Sequence, residues 1–508
     1  MCNCLHVVTV LVIVNIPTKL PTNRSLLPNS PPPHTMFEWL RSPVNWTGDH
    51  KSLLLSEDNN SEPTPDVSLA DLINQSSTFP LDFPVESVRC CQLRQVTSEK
   101  QLEKNINSAY PVIHEYALYL CSVFLLYQRK FGLKTDFYKN MSLIQFINRL
   151  LSKRAAVFVD SSDSYLLLSG ERGSGNWENV GTIEEKPPLV LENCLSYDEM
   201  KLSALLSVSS HSYFINNGDR NNFGRFDEDR RRVEESGVII GVIGPRFEKA
   251  EVMEYRDVVK TKRQNTVGYG YGDSPVPTLQ GEFAKFYEVS NDTYSQFLEN
   301  KESTVHRYLT LGRGKYFDTL VYQKRLALSI DTLLIEANDR AKNENKMAYV
   351  HVVGLGLGVW RISSVQDKLF MDAFAQRLEV LSEHLKNISD VRFAYISHKT
   401  AGKYADGDRI NGISLHMVNK NPQEKLTGED EGKLLVVSYP WDGNALPGNE
   451  FWDGSLNASG DPAAASSSQI SELHNWHINS KVSARNLRIA TFKGLVTFHE
   501  YQELHKND

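Results

Sequence analysis

The sequence predicts an α/β fold in which a mainly parallel sheet carries helices on its faces. The runs Val238 to Ile243 and Met347 to Val353 are continuously apolar, as in strands that are buried on both faces. Apolar residues recur at helical spacing from Thr319 to Lys342, directly before the second run. A glycine-rich turn, a further helix and the strand Val391 to Ile396 follow, and this alternation of helix and strand is typical of parallel sheets.

The composition indicates a globular protein that meets its ligand through a pocket. A hydrophobic fraction of 41% and a charged fraction of 23% are ordinary for soluble proteins, and the net charge of -7 disfavours nucleic acid as a partner. The apolar run Leu5 to Ile16 is too short to span a bilayer and lacks a basic lead-in, so we expect no membrane partner. No CxxC pair occurs and no cysteine follows Cys194, which favours a reducing compartment and a cytoplasmic protein.

The chain divides into three predicted parts. Residues 1–90 are rich in Pro, Ser, Asn and Asp and are predicted to be a disordered tail, with the true start, Met1 or Met36, left open. Residues 91–153 are predicted to be a small helical region, whose run Tyr116 to Tyr127 has the length of a buried helix. Residues 154–508 are expected to form the α/β domain that carries the site.

The glycine-rich turn is the first candidate for ligand binding. It consists of Gly354, Leu355, Gly356, Leu357 and Gly358, and it follows a predicted parallel strand, where α/β folds place ligands. Glycines allow a sharp bend that points backbone N–H groups at phosphate oxygens, and the next helix adds its positive end. The spacing is not that of the dinucleotide-binding motif. A tight turn that binds nothing is the alternative.

A polar loop after the strand Lys433 to Val437 is the second candidate. Asparagines can bond ribose hydroxyls in both directions, and a carboxylate can activate water or stabilise an oxocarbenium-like transition state. The alternative is a long surface loop with solvated acids. Its carboxylates and asparagines are Asp442, Asn444, Asn449, Glu450 and Asp453.

Three further residues lie where the predicted strands end or the next helix begins. Arg246 follows a buried strand and Arg220 lies in the polar turn 216–222, so each is a candidate phosphate contact, with a surface ion pair equally open. Asp461, followed by Pro462, is expected to be a helix N-cap rather than a catalytic group.

Motifs of other enzyme classes do not occur in the sequence. There is neither a G-x-S-x-G elbow nor an H-E-x-x-H motif. His474 and His477 have no further ligand at useful spacing. We therefore expect no metal and no cofactor.

Four strings resemble a macrodomain-like family that is shared by some eukaryotic proteins and a Legionella effector. They are NDRA at 338–341, HVVGLGLGVW at 351–360, YPWDGNALPGNEFW at 439–452 and SGDPAAA at 459–465. The resemblance covers residues 150 to 490. It implies a macrodomain-like fold in which the polar loop follows the glycine-rich loop instead of preceding it, which would be a circular permutation.

The resemblance also implies a function. The effector type removes ADP-ribose from an arginine of ubiquitin, so the family suggests an ADP-ribosylhydrolase that acts on ADP-ribosylated protein, with ubiquitin as a candidate. The glycines from Gly354 to Gly358 would hold the diphosphate, Asn444 would meet the distal ribose, and Asp442, Glu450 and Asp453 would activate water or recognise arginine. The usual Asn–Ala–Ala–Asn and triple glycine are absent. This departure leaves the catalytic carboxylate open, and a reader that binds ADP-ribose without turnover is the alternative, ahead of a scaffold without a nucleotide site.

Overall fold

The structure is a computed structural model that describes residues 38–57, 62–301, 306–457 and 459–506. The strands in these ranges are β1 (Tyr110–His114), β2 (Val157–Val159), β3 (Ser164–Leu166), β4 (Arg172–Gly173), β5 (Leu206–Tyr213), β6 (Ser236–Val242), β7 (Val259–Lys260), β8 (Tyr308–Gly312), β9 (Lys315–Asp318), β10 (Ala348–Val353), β11 (Ile388–Ala394), β12 (Arg409–Ile410), β13 (Ile413–His416), β14 (Leu434–Pro440), β15 (Arg488–Thr491) and β16 (Gly494–Thr497).

The helices surround these strands. They are α1 (Gly48–Leu54), α2 (Leu69–Ser77), α3 (Cys90–Leu93), α4 (Glu99–Asn107), α5 (Glu115–Phe131), α6 (Thr135–Tyr138), α7 (Leu143–Ser152), α8 (Tyr197–Ser203), α9 (Tyr255–Val258), α10 (Leu279–Phe286), α11 (Tyr294–Asn300), α12 (Thr319–Asn343), α13 (Val365–Leu381), α14 (Gly460–Ser467), α15 (Ile470–Leu473) and α16 (Phe498–Lys506). Short 3-10 helices lie at Glu38–Arg41, Trp177–Asn179, Arg230–Arg232, Val267–Tyr269, Gly428–Asp430, Asn449–Asp453 and Ala484–Asn486.

Ten strands form one sheet in the order β12-β13-β11-β10-β14-β6-β5-β1-β15-β16. The five strands from β13 to β6 are parallel to one another, while β12 runs antiparallel to β13 and β5 runs antiparallel to both β6 and β1. The α/β class and the mainly parallel sheet are therefore confirmed. The macrodomain-like assignment and the circular permutation stay predictions.

The central strands are buried on both faces, which explains their continuous apolar runs. Val350, Val352 and Val436 pack in one cluster with apolar residues of α12 and α13. Tyr349 and Val437, which alternate with them along the strands, pack on the opposite face with Phe214, Val233, Leu426 and Leu435. The long helix α12 begins where Asp318 accepts a hydrogen bond from the Val321 N–H, and it matches the helix predicted from Thr319.

The expected disordered tail is wrong for the part of residues 1–90 that the structure describes. Helix α1 buries Leu53 and Leu54, and α2 buries Leu69 and Leu72 behind the N-cap Ser68. The low average hydrophobicity of this segment obscures these few apolar residues, which dock onto a body that the rest of the chain provides. Residues 1–37 and 58–61 of the predicted tail lie outside the described ranges.

Residues 91–153 do contain helices, but they also supply a strand of the main sheet. Strand β1 pairs with β5 and with β15, so this region is joined to the α/β body by backbone hydrogen bonds. The prediction of a helical region missed β1, because this strand has only five residues and the long helix α5 follows it directly. No helix within the described ranges has the length and apolar character needed to cross a membrane.

Candidate active site

Three loops meet at the carboxyl edge of the parallel strands. They follow β6, β10 and β14, which are neighbours in the sheet through β14. A Cβ on Gly244, after β6, would lie 2.5 Å from the Gly356 nitrogen, after β10. A Cβ on Gly356 would in turn lie 2.8 Å from the Pro245 carbonyl oxygen. The two loops therefore touch backbone to backbone, which only glycine permits at these positions.

The glycine-rich loop presents unpaired donors. Gly356 has a left-handed φ of +68°, and the N–H groups of Gly356, Leu357 and Gly358 make no hydrogen bond to the described part of the protein. The side chain of Leu355 is fully buried in the core beneath α12 and α13 and anchors the loop. Free N–H groups that follow a parallel strand and precede a helix are typical of an anion site, so the loop fits the predicted diphosphate contact.

Asp442 lies at the centre of the acidic part of the site. Its side chain is buried, and Oδ1 accepts a hydrogen bond of 2.9 Å from the Asn444 N–H. Its Oδ2 lies 3.4 Å from Asn449 Nδ2 and 3.4 Å from Arg246 Nη1. Burial raises the pKa of Asp442, and the Arg246 charge opposes that rise.

Asp461 joins Asp442 across the loop, in a role that the sequence analysis does not identify. The expected N-cap role is wrong, because Ser459 is the N-cap of α14 and Asp461 lies inside its first turn. Asp461 Oδ1 instead accepts 2.8 Å from the Gly448 N–H, and Oδ2 is buried without a partner among the described residues. Burial, reinforced by the charge of Glu450, raises the pKa of Asp461 well above its ordinary value.

Glu450 completes what we call the acid cluster, namely Asp442, Glu450 and Asp461. It lies in the 3-10 helix Asn449–Asp453, and Ser459 Oγ donates to its Oε1 over 3.3 Å. Burial raises the pKa of Glu450, and the nearby charge of Asp442 adds to the rise. Buried carboxylates that raise one another's pKa are typical of functional sites.

Arg246 faces the acid cluster rather than the glycine-rich loop. Its Nη1 pairs with Asp442, and Nη2 lies 3.1 Å from Glu248 Oε2. The guanidinium carbon lies 4.8 Å from the ring centre of Phe158 and 5.7 Å from that of Trp360. The phosphate contact of Arg246 stays a prediction. In the structure the side chain holds Asp442 and tunes its charge, with Nε buried and unpartnered among the described residues.

The two predicted asparagines hold the loops around the acids. Asn449 clamps the backbone of Phe158, since its Oδ1 accepts 2.8 Å from the Phe158 N–H and its Nδ2 donates 3.1 Å to the carbonyl. Asn444 is buried, with its backbone carbonyl accepting from the Ala155 N–H over 3.1 Å. Its side chain contacts Met253 Sδ at 3.5 Å. Both residues are at the site, but Asn449 has little hydrogen-bonding capacity left for a ligand.

Asp453 and Arg220 lie apart from the acid cluster. The Asp453 side chain is 49% exposed and pairs with Arg172 Nη1 at 2.5 Å. Arg220 is exposed in the turn 216–222. Burial raises the pKa of Tyr395, and the charge of Arg220 opposes that rise. The geometry thus brings Asp442 and Glu450 together but leaves Asp453 outside.

Within the described ranges, no cluster of three or more His, Cys, Asp or Glu residues has a geometry that could hold a metal ion.

Comparison with known proteins identifies related sequences. Residues 70–504 match the family described as ADP-ribosylhydrolase MavL-like. A Drosophila melanogaster protein named ADP-ribosylarginine hydrolase is 42% identical over 455 residues, which cover 85% of this chain and 89% of that protein. A second Drosophila melanogaster protein, also named ADP-ribosylarginine hydrolase, is 41% identical over 461 residues, which cover 87% of this chain and 89% of the relative.

Proposed function

Because this chain belongs to the MavL-like family of ADP-ribosylhydrolases, we propose that it removes ADP-ribose from modified arginine side chains of proteins. The observation that carries the proposal is the acid cluster beside the unpaired N–H groups of the glycine-rich loop. The loop offers donors to a diphosphate, and the cluster offers carboxylates to a cation. A guanidinium that is linked to ADP-ribose carries both features in one molecule.

The charge of the acid cluster supports an arginine linkage. Burial raises the pKa of four carboxyl groups, namely the three of the acid cluster and that of the neighbouring Glu248. The described cations that oppose these rises are fewer, namely Arg246 and the more distant Arg154. A buried set of acids with too few counter-charges is stabilised by a cationic ligand. The guanidinium of the substrate would supply that charge, whereas a neutral ester linkage would not.

The cluster divides the chemistry between its members. We assign the activation of water to Asp442, because Arg246 opposes the rise of its pKa and favours the ionised base. We assign proton donation to Asp461, because burial and the charge of Glu450 raise its pKa well above the ordinary value and favour the protonated acid. Glu450 would bind the guanidinium.

In the proposed step, water attacks the anomeric carbon of the distal ribose. The C–O bond forms as the C–N bond to the guanidine breaks, with the electron pair leaving on nitrogen. Asp442 accepts the proton of the water, and the leaving nitrogen takes a proton from Asp461. The products are free ADP-ribose and unmodified arginine, and proton exchange with water returns both carboxyl groups to their starting states. A catalytic role of Asp453 stays a prediction, and the exposure and the ion pair of its side chain favour a structural role instead.

The test is the release of ADP-ribose from an arginine-ADP-ribosylated protein by the full chain. We expect D442N and D461N each to lower kcat by about 100-fold or more, as the loss of a general base or acid does. We expect E450Q, which loses a charged contact to the guanidinium, mainly to raise KM by about tenfold. The matched control is D453N, which changes an acid of the same loop outside the cluster and is expected to keep activity within about twofold. Equal activity of all four variants would contradict the assignment.

Two further outcomes separate the alternatives. Binding of ADP-ribose to the wild type without release from any arginine-modified protein would favour the reader. Ubiquitin as the protein substrate rests on the family resemblance alone, so arginine-ADP-ribosylated ubiquitin is compared with a second ADP-ribosylated protein.

A cytoplasmic site of action rests on the cysteine pattern of the sequence.

A further inference from the structure

A second pocket, with a volume of about 270 Å³, lies at the edge of the sheet opposite the three loops. Strand β1 runs in the same direction as β6, because β5 is antiparallel to both. Tyr110 and Arg488 begin β1 and its parallel neighbour β15, so the pocket lies at the amino ends of these strands. Asp339 and Arg340, near the end of α12, also line it. Neither the glycine-rich loop nor the acid cluster contributes to this lining.

Two guanidinium groups of this pocket share the ring of Tyr110. The guanidinium carbon of Arg340 lies 4.1 Å from the ring centre, and that of Arg488 lies 5.2 Å from it. Arg340 is 6% exposed, with Nε 2.7 Å from Glu336 Oε1 and Nη2 donating to the Ser108 carbonyl over 2.8 Å. Its Nη1 donates to none of the described residues, and Arg488 forms neither a hydrogen bond nor an ion pair with them. Guanidinium donors without acceptors are suited to a carboxylate.

Three carboxylates also line the pocket, and two of them already have partners. Glu344 Oε1 lies 3.0 Å from Lys104 Nζ, and its Oε2 lies 3.4 Å from Lys346 Nζ. Glu500 accepts a hydrogen bond of 2.7 Å from the Thr497 N–H at the start of α16. These two acids therefore have little demand for a ligand.

The third carboxylate, Asp339, lacks a counter-charge. Asn343 Nδ2 donates to its Oδ2 over 2.9 Å, but no cation in the described part of the chain forms an ion pair with it. Burial raises the pKa of Asp339, and the charge of Glu336 adds to the rise. His211 supplies no charge at neutral pH, because burial and the charge of Arg340 lower its pKa to about 3. The pocket thus presents an unbalanced acid beside guanidinium donors that lack acceptors.

We propose that this pocket binds a free α-amino acid as its zwitterion, with the carboxylate on Arg340 and Arg488 and the ammonium group on Asp339. A simple anion such as phosphate would face the uncompensated Asp339, and a simple cation would face the two guanidinium groups, so only a ligand with both charges suits the pocket. Leu495 and Val496 offer apolar surface to an aliphatic side chain. The volume lies at the lower end of small-molecule pockets, which suits an amino acid. The site is independent of the proposed hydrolysis of ADP-ribose.

The experiment is a calorimetric titration of the full chain with L-leucine and two analogues that each lack one charge. We expect L-leucine to bind with a Kd of about 1 mM or lower. L-leucine amide lacks the carboxylate and 4-methylpentanoate lacks the ammonium group, so each should bind at least about tenfold more weakly. Absence of L-leucine binding, equal affinity of either analogue, or tighter binding of inorganic phosphate would overturn the proposal.

Variants place the binding in this pocket. R488Q and D339N should each weaken L-leucine binding at least about tenfold, while ADP-ribose release stays within about twofold of wild type. The matched control is R485Q, since Arg485 is exposed three residues before Arg488 and does not line the pocket. D442N, which alters the acid cluster, should bind L-leucine as the wild type does. Wild-type affinity in R488Q and D339N, or a loss in R485Q or D442N as large as theirs, would overturn the assignment. L-leucine binding is read without turnover, so failure of the proposed hydrolysis would leave this test intact.

Discussion

At the residue scale, the acid cluster places function in conflict with stability. Asp461 is buried with one oxygen unpartnered among the described residues, and Asp442 and Glu450 add negative charge around it. Each carboxylate is harder to ionise in the folded chain than in water, which is what proton transfer near neutral pH requires. The same property weakens the fold, because burying an ionised carboxylate without a partner is unfavourable.

We therefore expect D461N to stabilise the protein while it abolishes release. The folded-state pKa of Asp461 is raised, so its unfavourable contribution is absent below the ordinary carboxyl pKa and grows as the pH rises above that value. D461N should raise the free energy of unfolding by about 1 kcal/mol near neutral pH and by little in acid. Thermal unfolding of both proteins across pH checks this. D453N, which is exposed, should show no such pH-dependent gain, and an equal gain there would contradict the explanation.

At the scale of elements, the site depends on loops that follow three neighbouring strands. Gly244 and Gly356 allow two of these loops to touch, and the buried Leu355 anchors the second from below. Asn449 clamps the third loop to Phe158 of strand β2, so the small sheet β2-β3-β4 supports the acidic loop. Rigid strands with contacting loops preorganise the donors before a ligand arrives.

We expect G356A to damage the glycine-rich loop and G358A to leave it intact. Gly356 has a left-handed φ of +68°, and a Cβ there would lie 2.8 Å from the Pro245 carbonyl oxygen. A Cβ at Gly358 would meet no atom within 4 Å. Left-handed backbone costs an alanine about 1–2 kcal/mol before the clash is counted. Calorimetric titration should show ADP-ribose affinity reduced at least about tenfold in G356A. A similar loss in G358A would indicate that the effect is not caused by backbone geometry.

At the scale of the whole molecule, residues near both limits of the described chain pack together against the helix α5. Trp46 Nε1 donates to the Tyr501 hydroxyl over 2.9 Å, and that hydroxyl donates to the buried Glu115 over 3.1 Å. Leu53 and Leu54 of α1 belong to the same core cluster as Tyr501. The described residues before residue 91 are thus part of the α/β body, and removal of Trp46, Leu53 and Leu54 would leave this cluster open to water.

We expect L54A to destabilise the full chain, because its side chain is fully buried in that cluster. A Leu→Ala change at such a position lowers the free energy of unfolding by about 2–5 kcal/mol. The matched control is L504A, since Leu504 is 59% exposed on α16 and should change stability by less than about 1 kcal/mol. Denaturant unfolding measures both. Equal, small effects would show that the N-terminal segment does not contribute to the core.

Features that depend on neighbours along the chain can be predicted from the sequence. Continuous apolar runs predict β6 and β10, the helical period predicts α12, and glycine spacing after β10 predicts an anion loop, since each of these signals is local. The family strings added the chemistry of ADP-ribose. Which polar residues share the site depends on the tertiary fold and could not be predicted from the sequence. Arg246 and Asp442 are 196 residues apart, and Asn449 and Phe158 are 291 apart. Local periodicity carries no information on such contacts, so burial and charge, which turn Asp461 from a helix cap into a member of the acid cluster, became visible only in the folded chain.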